Sequence, residues 1–173
     1  MTDALDGRIG DAWSGEVPNG SHVNLVLARR GSAAAAAAIS ALAAPKPGHV
    51  PILVCLKGAG TPVRPATIMV NKVTIESDEQ ARMTWGAAQL GIAQGVLDAV
   101  ADELLDADEA AELILLAAVW VDPEAHDATA VRSANREATR WAIADALAPP
   151  GAAEVRALAE QREDATNAFY DGE

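Results

Sequence analysis

Thr67-Ile-Met-Val-Asn-Lys-Val-Thr-Ile-Glu-Ser-Asp-Glu-Gln-Ala-Arg-Met-Thr-Trp-Gly-Ala-Ala-Gln89 reads as a strand, a helix cap and the first turns of a helix. Side chains of a strand alternate between its faces. Over 66–75, Met69, Asn71, Val73 and Ile75 share one face, and Ile68, Val70, Lys72 and Thr74 the other. Lys72 and Thr74 therefore project together from an otherwise apolar row. Ser77 or Asp78 caps the helix that follows, and Asp78 and Glu79 suit its positive end. In that helix Trp85, Ile92 and Val96 recur at helical spacing, with Gln89 inside the apolar row. An amide left unpaired in a core costs roughly 1–3 kcal/mol, so Gln89 needs partners. Two readings stay open: a structural bond to backbone, or a pocket that Gln89 lines with Lys72 and Thr74.

Outward from this unit, the rest of the chain supplies more strands and helices. Val23, Leu25 and Leu27 form the core side of a strand near 22–28, with His22 and Asn24 side by side on the other face. A short strand near Ile9–Trp13 precedes it, and Pro18-Asn-Gly makes the turn. Ser32 caps an Ala-rich helix over 33–44. Val50–Leu56 is a continuous apolar run, so a buried strand, and Lys57-Gly-Ala-Gly-Thr61 lacks the spacing of a phosphate loop and reads as a plain loop. The helix begun at Ser77 is expected to run to Leu105. Gly91 and Gly95 within it permit close approach of a neighbouring backbone. Leu113–Val121 is a buried strand. Asp127 or Thr129 opens a helix to Leu147 with Val131, Ala134, Ala138, Trp141 and Ala142 on its apolar face, and a short helix covers 152–162. Short β-β connections demand mixed pairing, so the fold class is α+β: a two-layer sandwich, one mixed sheet with helices packed on one face. A single domain over 1–173 is expected, with 149–173 as a tail whose Phe169 and Tyr170 dock on the domain or on a neighbouring subunit.

Composition excludes several functions. The formal net charge of −12 argues against nucleic acid or an anionic membrane surface as partner. One cysteine, Cys55, rules out an intrachain disulfide framework and reads as a buried, inert thiol. There is no apolar run long enough to span a bilayer and no secretory signal, which makes the cytoplasm the expected location. Seven acidic residues lie between Asp98 and Glu112 without a basic one. They read as a solvated helix end rather than a metal site, and His126 beside Glu124 and Asp127 is too sparse for a ligand set, so no metal is expected.

Five motifs, in order along the chain, carry a resemblance. They are His22-Val-Asn24, the strand Met69-Val-Asn-Lys-Val-Thr-Ile75, the helix segment Trp85-Gly-Ala-Ala-Gln89, the turn Asp122-Pro-Glu-Ala125 and the segment Asn135-Arg-Glu-Ala-Thr139. Together they closely resemble the formaldehyde-activating enzyme family over nearly the whole chain. The resemblance implies a lyase that condenses formaldehyde with tetrahydromethanopterin, or a related reduced pterin, to the methylene-bridged product with loss of water. It implies His22 as general acid and Asn24, Leu53, Lys72, Thr74 and Gln89 as pterin contacts. The pterin is a co-substrate, no cofactor is tightly bound, and the family's cyclic pentamer places the pterin between subunits. The alternative is a diverged homologue that binds or senses formaldehyde or a folate-like ligand without turnover.

The residue types suit the chemistry. Formaldehyde adds to one ring nitrogen, and the hydroxide of the adduct leaves only if a proton reaches it. Histidine suits that task, which is typically worth about 10²–10⁴-fold. Holding two amines and one small aldehyde together supplies the remainder. Three positions depart from the family pattern: Asn24 stands for an aspartate, Asp122 for a histidine and Arg136 for an aromatic residue. Asn24 keeps hydrogen bonds but loses a charge.

Overall fold

The computed structural model describes residues 5–56 and 61–166. Two strands open the chain, β1 (Arg8–Ser14) and β2 (Ser21–Arg29), paired antiparallel. Helix α1 (Ala33–Leu42) follows, with the Ser32 hydroxyl accepting from the Ala35 amide as its cap. Next come β3 (Ile52–Leu53), β4 (Cys55–Leu56), β5 (Thr61–Pro62) and β6 (Ala66–Asn71). Then come α2 (Asp78–Ala81), a π-helical stretch (Arg82–Ala88) and α3 (Gln89–Ala101). The short α4 (Ala107–Ala110), β7 (Leu113–Val121), α5 (Ala128–Leu147) and α6 (Ala152–Glu160) complete the order. Five strands form one mixed sheet in the order β1-β2-β7-β6-β3, in which only β6 and β7 run parallel. Parallel neighbours need a crossover, and α3 provides it. The α+β class therefore holds, with a five-stranded mixed sheet.

The core lies between one sheet face and the long helices. Val23, Leu25 and Leu27 of β2, and Leu113, Leu115, Ala117 and Val119 of β7, meet Ile92, Val96, Val131, Ala138 and Ile143. The two helices approach closely because their contact is glycine against backbone. A methyl on Gly91 would lie 2.3 Å from the Arg132 carbonyl, and one on Gly95 2.5 Å from that of Arg136. Along the rim of this seam Arg132 bonds Gln94, Arg136 bonds Asp98 and Arg140 bonds Asp102, one helical turn apart. The acidic segment is thus partly neutralised by α5, and the Arg136 guanidinium holds the Asp98 carboxyl below the usual range. Asn135, fully buried, accepts from the Ser21 hydroxyl at 2.8 Å and donates to the Val131 carbonyl, tying α5 to β2. The smaller α1 touches β2, β7 and β6, and its buried Ala35 and Ala38 stand outside this core.

Several local expectations change. The run Val50–Leu56 is not one buried strand. Leu53 is 39% exposed, and the ladder breaks at Val54, whose amide bonds Thr67 and whose carbonyl accepts from Val63. The chain there leaves the sheet edge, and β4 pairs with β5 instead. The strand expected over 66–75 ends at Asn71, because the Asn71 side-chain Nδ2 donates back to the Gly48 and Val73 carbonyls, both at 2.6 Å. The helix expected to Leu105 ends at Ala101 and is π-helical over Arg82–Ala88. Trp141 is 47% exposed rather than on the apolar face of α5; the tight seam against Gly91 and Gly95 takes Asn135 and Thr139 instead. Cys55 is half-buried. The 57–60 loop and the pair Phe169 and Tyr170 lie outside the described residues.

Candidate active site

The second face of the sheet carries the polar residues. Because β1 and β2 pair with Trp13 opposite His22 and Asp11 opposite Asn24, the four side chains share this face. β7 adds Trp120 opposite His22 and Ala118 opposite Asn24. β6 places Val70 opposite Ala118, and the Lys72 amide extends that ladder by donating to the Val119 carbonyl at 2.7 Å. Leu53 joins the same face from β3, opposite Ile68. These pairings carry Lys72 across the sheet to His22 and Asn24.

The contacts form a chain of hydrogen bonds. The Lys72 ammonium donates to Asn24 Oδ1 at 2.7 Å and lies 3.0 Å from His22 Nδ1. His22 Nε2 lies 2.6 Å from Asp11 Oδ1, and the same oxygen accepts from Asn24 Nδ2. An ammonium only donates, so Nδ1 is the accepting nitrogen of the imidazole, and Nε2 carries the proton toward the carboxylate. Burial lowers the Lys72 amine below its ordinary value, and the Asp11 charge opposes that shift. The Trp13 ring stacks at a tilt 5.2 Å from that of Trp120 and 6.0 Å from His22. On the same sheet face as Val70 is a hollow of about 430 Å³ lined by Ala41, Ala44, Lys46, His49, Pro51 and Val70, and not by His22, Asn24 or Lys72.

Of the residues singled out from sequence, His22, Asn24 and Lys72 are brought together, with Leu53 on the same sheet face. Thr74 is not set beside Lys72 by strand alternation, which has ended at Asn71. Its methyl group instead covers Gly48, where an added Cβ would lie 2.4 Å away. Gln89 donates to the Trp85 carbonyl at 2.7 Å and accepts from the Cys55 amide at 3.3 Å. Those are the structural backbone bonds of the first reading. Arg136 stands in the helix layer against Asp98, and Asp122 accepts from the Glu124 amide in its own turn. Asp11, Trp13 and Trp120 are new to the site. The signal for Asp11 and Trp13 was the β1–β2 hairpin, whose register sets them against Asn24 and His22; Trp120 comes in through the β2–β7 pairing.

An arrangement of imidazole, ammonium and carboxylate in a row can hold a proton, pass it along and offer it to a leaving oxygen. Comparisons with known proteins point the same way. The family model for formaldehyde-activating enzyme matches residues 9–170. The chain is 37% identical over 147 residues to the 5,6,7,8-tetrahydromethanopterin hydro-lyase of Methanosarcina barkeri, covering 85% of this chain and 82% of that protein. It is 30% identical over 162 residues to the bifunctional enzyme Fae/Hps of the same organism, covering 94% of this chain and 41% of that one. The bifunctional enzyme Fae/Hps of Archaeoglobus fulgidus is 33% identical over 143 residues, 36% of its length. The chain spans about two fifths of those bifunctional relatives. With a family match over 9–170 and a relative matched along most of its length, this chain belongs to the formaldehyde-activating enzyme family.

Proposed function

We propose that this protein condenses formaldehyde with tetrahydromethanopterin, or a closely related reduced pterin, to the methylene-bridged adduct with loss of water. One observation carries the reading: the His22–Lys72–Asn24 cluster occurs in a chain 37% identical to a tetrahydromethanopterin hydro-lyase. Formaldehyde adds to one pterin nitrogen and becomes a hydroxymethyl group. His22 delivers a proton to the hydroxyl oxygen as the carbon–oxygen bond breaks, and water departs. The second pterin nitrogen attacks the same carbon and loses its proton, which restores the acid. Lys72 and Asn24 orient the pterin, Lys72 as donor and Asn24 as both donor and acceptor. Leu53 offers an apolar contact on the same face.

The same reading extends to assembly and place. One domain over 1–173 acts as a ring of five copies in the cytoplasm, without a tightly bound cofactor, and the pterin sits between neighbouring subunits. In support, Thr74 and Gln89 lie away from the His22 cluster within one chain, so a site between copies is the way they too would reach the pterin. A described helix long and apolar enough to cross a membrane is absent.

The test is the rate of methylene-tetrahydromethanopterin formation from formaldehyde, followed by stopped flow against the spontaneous reaction. Acceleration proportional to protein concentration is expected. Tight pterin binding by calorimetry with no acceleration would select the non-catalytic binder instead. A light-scattering mass near that of one chain would remove the ring.

A further inference from the structure

We propose that Asp11 is a positioning residue for His22: it fixes the imidazole from the neighbouring strand and supplies the carboxylate that Asn24 does not. This rests on the catalytic reading of His22 given above. Three observations carry it. Asp11 Oδ1 lies 2.6 Å from His22 Nε2. The same oxygen accepts from Asn24 Nδ2, so Asn24, held by Lys72 on its other side at 2.7 Å, steers the carboxylate onto the ring. The register then fixes Asp11 directly opposite Asn24, on a strand that α5 holds from behind. There the Asp11 amide donates to the Asp145 carboxylate at 2.9 Å, and Gly10 lets the α5 backbone come so near that a methyl at Gly10 would stand 1.9 Å from the Ala142 carbonyl.

The consequence is a choice of nitrogen. The charged groups facing His22 are Asp11 from β1 and Lys72 from beyond β6, while β7 presents the uncharged Trp120. A carboxylate accepts only and an ammonium donates only, so the two hold the ring in one orientation and one tautomer. Nε2 faces Asp11, and Nδ1 is left on the side of Lys72. Nδ1 is therefore the atom that faces the substrate once Lys72 turns to the pterin, and it serves as the acid after taking up a proton, with the Asp11 carboxylate balancing the imidazolium. Asn24 is the fitting neighbour because an aspartate there would set two carboxylates against each other across the strand pair.

A double-mutant cycle on the full chain tests this, with Asp11→Ala, His22→Ala and both together. If Asp11 acts through His22, Asp11→Ala lowers kcat by about tenfold or more, within the 10²–10⁴-fold worth of an acid, with KM little changed. In the His22→Ala background the same change then costs less than about twofold, because residues acting as one unit are not additive. Asp11→Glu recovers part of the rate. An equal loss in both backgrounds, or no loss, overturns the proposal and leaves the proposed reaction standing. Should the wild type show no acceleration, the catalytic reading fails, and the ring signals decide the positioning. The chain has three histidines, so the ¹⁵N and ¹H ring resonances of His22 can be followed beside His49 and His126. Asp11→Ala should shift those of His22 alone. Unchanged His22 signals overturn the proposal without reference to activity.

Discussion

Lys72 Nζ stands 3.0 Å from Nδ1 of His22, although the two residues are fifty positions apart in the chain. Lys72 follows β6 and His22 lies on β2, and β7 between them sets the distance. An ammonium partly withdrawn from water loses its proton more readily, and the amine here is lowered for that reason, against the opposing pull of the Asp11 charge.

The linkage has a definite sign. The unfolded chain holds the Lys72 proton to higher pH than the folded one, so partial desolvation of the charge on this largely exposed residue costs a small amount of stability at neutral pH. That cost disappears as pH rises through the ordinary lysine range, where both states are neutral. Lys72→Met should therefore gain stability relative to wild type near neutral pH, and the gain should fade by about pH 10.5. Denaturant midpoints of the two proteins at both pH values check this.

Asn24→Asp brings in the aspartate that the resemblance implies at this position and is expected to be unfavourable in this chain. Asn24 donates to Asp11 across the β1–β2 pair, and a carboxylate there would repel it. Like charges directly opposite in a sheet destabilise by about 0.2–1 kcal/mol. Denaturation at pH 7 should show that loss, and the gap should close in acid as one carboxyl takes up a proton.

Gly95→Ala separates helix propensity from packing. Alanine favours an exposed helix by about 1 kcal/mol over glycine. Here its methyl would fall 2.5 Å from the Arg136 carbonyl, which backbone cannot easily yield, and overpacking typically costs about 1–3 kcal/mol. A lower denaturation midpoint is expected, with little change in turnover, since the seam lies in the helix layer away from His22.

The elements were legible where the signal was local. β7 reads as a buried strand from nine consecutive apolar residues, and it forms over Leu113–Val121 as expected. The α5 cap at Asp127 and the α1 cap at Ser32 follow from their side chains accepting first-turn amides. What stayed hidden depends on groups distant in sequence. The end of β6 is set by Asn71 reaching Gly48, and the break at Val54 by its change of partner strand. Trp141 reads as core by spacing, yet glycine-to-backbone packing moves the buried stripe to Asn135 and Thr139. Within the site, alternation exposed His22, Asn24 and Lys72 as misplaced polar groups, but only the sheet order unites them. Asp11 carried no signal of its own beyond the hairpin register. Gln89 bonds the Trp85 carbonyl and the Cys55 amide, which meets the need for partners that its place in an apolar row created.

The central claim is that His22 delivers the proton that releases water from the hydroxymethyl adduct. The most direct measurement compares wild type with His22→Ala at saturating tetrahydromethanopterin, with the spontaneous rate subtracted. The account predicts a fall in kcat of about 10²–10⁴-fold with pterin affinity largely kept. Equal rates in the two proteins would contradict it.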